Sequence, residues 1–338
     1  MAQITYGVGT SHGPLLNLPP VEWEVRAAFD RAQTDLALRD GTYNFEQLHA
    51  HRGGPHFAKL ATLEERVARH TRCQVGLDQL GEKLLAAAPD VLVVVGDDQH
   101  EWFMEDKQPS FSVFCGDEIQ NLTLTDEEKE HKIKTGRGSD MYSYRPLADQ
   151  IYPVAKDLAL HIHAQAIEDE FDVAACMTQP TDPDGTVRSV GHAIGFIYRR
   201  LLRDKPVPVV PVLLNTFYPP NQPTPKRCYE FGKSMGRAIR KWQSDARVAV
   251  VASGGISHFV VDEEWDHKML GAFLKGDVET LINEPNIMFR SGSSETKNWI
   301  AAAGILDGSG LKMDLLDYVP CYRTDAGTGS GMAFATWS

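Results

Sequence analysis

The chain has 338 residues, 42% hydrophobic and 24% charged, with a formal net charge of -12. That length allows a large core in one domain or two, while the acidic balance excludes a nucleic-acid surface or a polybasic membrane patch. No apolar run approaches the roughly 18 residues of a membrane span.

The opening "MAQITYGVGTSHGP" lacks a basic, apolar leader pattern, so no signal peptide is expected. A first strand at 4–9 runs into "TSHGP", which places His12 just past its end. Residues 38–58 are polar, contain "HAHRGGPHF", and read as a long loop; His49, His51 and His56 are taken as loop residues. Apolar residues at helical spacing predict a helix over 63–87. The run 90–96 is a strand apolar on both faces, followed at once by Asp97, Asp98, Gln99, His100 and Glu101. A strand at 110–116 precedes a charged excursion over 117–148. Helices at 153–168, 189–203 and 226–243 alternate with strands at 171–177, 207–217 and 247–255. Between them "YPPNQPTP" excludes regular structure, because proline fixes φ and removes a donor. Further helices are expected at 263–275 and 295–305.

Strands alternating with helices predict an α/β fold: a mixed, mostly buried central sheet with helices on both faces. No linker divides the chain, so 1–338 is read as a single domain. The five cysteines are dispersed and form no CxxC, as expected of reduced thiols in a cytoplasmic protein.

In open α/β sheets, sites gather at the carboxyl ends of strands. Three such ends here carry ligand-capable residues: His12; the Asp97–His100 stretch; and His258, followed by Asp262, Glu263 and Glu264 at a helix start. Two histidines and a carboxylate with positions left open suit a non-haem Fe(II) centre. Each residue also has a plain structural use, since Asp caps helices and acidic residues favour a helix's first turn. No Walker A, HExxH or nucleophile-elbow pattern competes.

Taken together, "TSHGP", "PDVLVVVGDDQHEWF", "DLALHIHAQAIEDEFDVAACMTQ", "VPVLLNTFYPPNQPTPKRCYEFG", "SGGISH", "EEWD" and "RSGSSETKNWI" resemble the class III extradiol ring-cleavage dioxygenases. The likeness is to catalytic subunits of the protocatechuate 4,5-dioxygenase type and to single-chain gallate and 3-O-methylgallate enzymes. It implies one Fe(II) held by two His and one Glu. Carried over, His12 and Glu264 fall on ligand positions. A gapless match puts Gln99 on the second His position, and a one-residue adjustment would bring His100 there. The resemblance further implies His192 as catalytic base, His258 orienting a ligand or serving as an alternative one, and Ser291 against the substrate, with Arg290 and Arg323 as further candidates. A second active-site His of the family has no counterpart, its position falling near Ala155. The implied partners are a small aromatic diol and dioxygen, in a homo-oligomer such as a dimer, with a small accessory subunit conceivable. Two other readings stay open: a zinc enzyme opening a catechol amino acid, with His258 as ligand, and a non-catalytic member acting as a binding module.

Overall fold

In the strand Val91–Asp97, Val91, Val93 and Val95 enter one apolar cluster while Leu92 and Val94 enter another. Successive side chains of a strand point to opposite faces, so an uninterrupted apolar run marks a strand covered on both sides. This computed structural model describes residues 1–135 and 138–338.

The strands in chain order are β1 (Gln3–Thr10), β2 (Leu36–Leu38), β3 (Gly41–Tyr43), β4 (Val91–Asp97), β5 (Phe111–Phe114), β6 (Glu118–Asn121), β7 (Gln150–Pro153), β8 (Ala174–Cys176), β9 (Val209–Leu214), β10 (Arg247–Ser253), β11 (His258–Val260), β12 (Met313–Tyr322) and β13 (Thr328–Trp337). Nine of them form the central sheet, in the order β11-β13-β1-β10-β4-β9-β5-β8, with β12 also paired to β13. The neighbours β1, β10, β4 and β9 run parallel, whereas β13 is antiparallel to β1, β11 and β12, and β5 to β9. The sheet is therefore mixed, as the alternation of elements predicts. The helices Lys156–Glu168, Pro225–Lys241, Glu263–Lys275 and Thr296–Leu306 cover one face. The 25-residue helix Leu63–Ala87 and the segment 192–201 cover the other.

Three differences from the sequence reading have local causes. The polar stretch 38–58 folds into β3 and two short helices, Phe45–Arg52 and Pro55–Leu60. Asn44 starts the first of these with a reciprocal cap: its side chain accepts the Gln47 N–H, and the Gln47 side chain accepts the Asn44 N–H. The charged stretch 117–148 contains β6 and the helix Asp126–Lys134, capped in the same way by Thr125 and Glu128, and positions 136 and 137 lie outside the described residues. The β12–β13 hairpin went unread because β13, fully buried, is built largely of Gly, Ser, Thr and Ala. Small residues are required there: a Cβ on Gly331 would lie 2.2 Å from Asp266 Oδ2.

One packing contact aims the site. A Cβ on Gly232 would sit 2.0 Å from the Ala301 carbonyl oxygen, and one on Gly304 2.2 Å from that of Tyr229. The helices Pro225–Lys241 and Thr296–Leu306 thus touch backbone to backbone, which only glycine permits. The second of these helices carries Asn298 and follows directly on Glu295.

Candidate metal centre

The carboxyl ends of β1, β10 and β4 lie side by side, with Thr10 opposite Ser253 and Ala252 opposite Val95. His12 leaves the first, Ser253 closes the second, and Asp97 closes the third. The helix-bound Glu295 arrives from the far end of the sequence.

His12 Nε2 lies 3.2 Å from His192 Nε2 and 3.2 Å from Glu295 Oε2, and Asp97 Oδ1 is 3.9 Å away. Donor atoms of His12, Asp97, His192 and Glu295 all fall within 4.8 Å of one another. The proton positions follow from the partners. Ser253 Oγ donates its one proton to the Ala193 carbonyl at 2.8 Å, so it accepts from His12 Nδ1–H at 2.9 Å. Nε2 is therefore the ring nitrogen that His12 turns toward the cluster.

His192, at the first position of the helix His192–Phe196, donates Nδ1–H to Glu101 Oε2 at 2.9 Å and its backbone N–H to Glu101 Oε1 at 2.7 Å. Burial opposes a charge on this imidazole, yet the carboxylates of Glu101, Asp97 and Glu295 push its pKa up to about 10. Burial likewise opposes ionisation of Glu295, but His258 and His12 hold its carboxyl well below the usual range. Asp97 is pushed up by burial and by the charge of Glu295. His258 Nε2 lies 3.1 Å from Glu295 Oε1. Gln99 Nε2 donates to Asp97 Oδ2 and Glu295 Oε1, both at 3.2 Å, and Asn298 Nδ2 donates to Asp97 Oδ1 at 3.1 Å. The cluster opens into a cavity of about 360 Å³ whose wall includes His12, Gln99, Tyr144, His192, His258 and Glu295.

This donor set fits a divalent metal. Two donors each about 2.1 Å from one ion, at angles of about 90–110°, lie about 3.0–3.4 Å apart, which the two 3.2 Å separations around His12 Nε2 match. Among the described residues His12, His192 and Glu295, with Asp97, are those that could hold it.

Of the residues singled out in the sequence, His12, Gln99, His192 and His258 come together, and two ligand candidates, Glu264 and His100, do not. Glu264 sits on the solvent side of its helix, its side chain 83% exposed and paired with Arg39 at 2.5 Å. The inward residues of that helix are Trp265, Asp266, Met269 and Phe273, and position 264 falls outside their arc. His100 adopts a left-handed backbone (φ 59°) and stacks on Tyr218 at a centroid distance of 3.6 Å, away from the cluster. The turn after β4 is held by Asp98, which accepts the N–H groups of Trp102 and Phe103. It leaves Gln99 facing in and His100 facing out. Ser291 lines a neighbouring cavity of about 200 Å³ with Phe217 and Phe259, and Arg26 and Phe259 border both cavities. Arg290 is tied to the β2–β3 hairpin through Thr42, Arg39 and Gly41. Arg323 lines the larger cavity with its charge matched by Asp30 at 2.7 and 3.1 Å. His49 pairs with Asp325, away from the cluster.

Glu295, Asn298 and Glu101 were missed. For Glu295 and Asn298 the signal was a carboxylate and an amide opening the largely apolar stretch "ETKNWIAAAGIL", which a buried helix tolerates only when they are paired.

Residues 55–328 match the family model described as the catalytic LigB subunit of aromatic ring-opening dioxygenase. The chain belongs to this family. Among curated relatives, a gallate dioxygenase of Pseudomonas putida is 32% identical over 138 residues, covering 38% of this chain and 35% of that protein. A 2,3-dihydroxyphenylpropionate/2,3-dihydroxicinnamic acid 1,2-dioxygenase of Burkholderia vietnamiensis is 27% identical over 194 residues, 57% of this chain and 48% of that one. A protein of the same name from Paraburkholderia xenovorans is 27% identical over 284 residues, covering 68% of this LigB-family chain and 79% of its relative. The match thus spans about a third of the gallate dioxygenase and about half of the Burkholderia enzyme. Among the described residues no helix is long and apolar enough to cross a membrane.

Proposed function

We propose that this LigB-family chain is a non-haem Fe(II)-dependent extradiol dioxygenase that opens the ring of an aromatic ortho-diol. The observation that carries the reading is the convergence of His12 Nε2, 3.2 Å from both Glu295 Oε2 and His192 Nε2, at the wall of a cavity. Iron, when bound, supplies open positions for two reactants and an exchange of electrons between them. The chain's own residues do the rest. Ser253 fixes the tautomer of His12. Gln99 and His258 hold Glu295 by its other oxygen, Oε1. The cavity walls limit water around a bound ring. An imidazole suits removal of a phenolic proton, and His192 and His258 both line the cavity. The relatives' names point to a diol with an acidic substituent, as in gallate or dihydroxyphenylpropionate. A reducing compartment such as the cytoplasm would keep the iron ferrous and the five cysteines as thiols.

The test is oxygen uptake by protein loaded anaerobically with Fe(II) and given protocatechuate, gallate, 3-O-methylgallate and 2,3-dihydroxyphenylpropionate in turn. One dioxygen consumed per diol opened, abolished by a chelator, is expected. No uptake above the chelated control with any of the four overturns the reading.

A further inference from the structure

The resemblance leaves one ligand position open, because Gln99 stands where a histidine is implied and His100 turns away. We propose that His192 fills it, completing a His12–His192–Glu295 face, and that Glu101 is the positioning residue that holds the His192 ring for this role. The inference rests on the metal-dependent reading of the same site.

The proton accounting favours it. Glu101 bonds both the ring Nδ1–H and the backbone N–H of His192, at 2.9 and 2.7 Å. An ionised carboxylate only accepts, so Nδ1 carries a proton and Nε2 is the atom that faces the cluster. His12 reaches the same state through Ser253. The two Nε2 atoms stand 3.2 Å apart, a separation bridged by one shared proton or, in its place, by one metal ion. A metal-bound histidine that passes its other N–H to a carboxylate is a recurrent arrangement, since the carboxylate fixes the tautomer and makes the ligand more basic. Gly191 makes room for it, because a Cβ at that position would lie 2.6 Å from Glu101 Oε2.

The other candidates are engaged elsewhere. Gln99 turns its NH₂ to Asp97 and Glu295, and two carboxylates accept nothing but N–H, so the end facing the cluster has no lone pair to offer. Asp97 receives Gln99 and Asn298, and its oxygens stand 3.9 Å from both imidazole nitrogens, too far for adjacent donors on one ion. His258 donates Nε2–H to Glu295.

Cobalt(II) separates ligation from catalysis, because it reports its ligand set by visible absorption and binds nitrogen and oxygen sites more tightly than Fe(II). Chelator-stripped wild type, His192→Ala, Glu101→Gln and His100→Ala would be titrated anaerobically with Co(II), each first checked by circular dichroism and thermal melting. Wild type is expected to bind one Co(II). His192→Ala should bind at least about a hundredfold more weakly with an altered band, and added imidazole should restore the band. Glu101→Gln should weaken binding by about 10–100-fold with little change in melting temperature. His100→Ala should keep the wild-type band, because His100 stacks on Tyr218 away from the cluster. If His192→Ala keeps both band and affinity within threefold, or His100→Ala loses the band, the assignment of His192 is overturned while the metal-dependent reading stands. If wild type itself binds no Co(II), both fall.

Discussion

The carboxylate of Glu295 and the imidazole of His12 meet at 3.2 Å, with only 3% of either side chain exposed. A buried carboxylate this close to a neutral imidazole lone pair needs a positive charge, from a proton or a metal. Glu295→Ala should therefore abolish metal binding and ring opening. Glu264→Ala should do neither, and should change stability by less than about 1 kcal/mol, because it removes only an exposed ion pair. Metal content by elemental analysis and a denaturant melt separate the two variants.

His100 contributes to folding rather than to the metal. His100→Ala should retain wild-type metal content and lose only its stacking on Tyr218, about 0.5–1.5 kcal/mol. His100→Gly also removes the left-handed backbone penalty of about 1–2 kcal/mol. The Gly variant should therefore be more stable than the Ala variant in urea denaturation. The reverse order would mean that φ is not strained there.

Asp30 and Arg323 form a buried bidentate pair, and Thr328 Oγ1 also donates to Asp30, at 2.6 Å. Asp30→Ala leaves the guanidinium, 1% exposed, without its partner. A loss of about 3–5 kcal/mol in equilibrium unfolding is expected.

The touching helices make the site sensitive to a remote methyl group. Gly304→Ala should cost at least about 1–3 kcal/mol through overpacking. It should also weaken metal binding, because the displaced helix continues from Glu295. Calorimetric melting and metal titration of the same preparation check both effects.

Asp169 gives a pH signature away from the centre. Burial disfavours its charge, but the Ser234 hydroxyl at 2.6 Å and the Arg237 guanidinium at 2.7 Å bring its pKa below the ordinary value. Its contribution is present above the unfolded-state pKa of about 4 and is lost as pH falls through the lower folded value, since the unfolded chain then binds the proton first. Wild type should exceed Asp169→Asn in melting temperature near pH 7, and the gap should shrink toward about pH 3. A gap independent of pH would contradict the assignment.

The helices 63–87 and 263–275 were legible to the residue, and β4 and β10 to within one or two, because long periodic runs carry their own signal. The convergence of β1, β4 and β10 at their carboxyl ends was legible too, through the polar residues that stop each run. The helices within 38–58 were hidden by polarity on every side, and β13 by its small side chains.

What the sequence by itself determined is the alternation of strands and helices, the strand ends where chemistry collects, and the presence of His12, Gln99, His192 and His258 among the candidates. What only the tertiary structure decided is which carboxylate and which imidazoles meet. A helix turns its side chains by about 100° per residue, enough to send Glu264 to solvent while Trp265 and Asp266 point inward. The turn held by Asp98 likewise separates Gln99 from His100. Direction in space, set by packing and by where each turn is capped, chose Glu295 over Glu264.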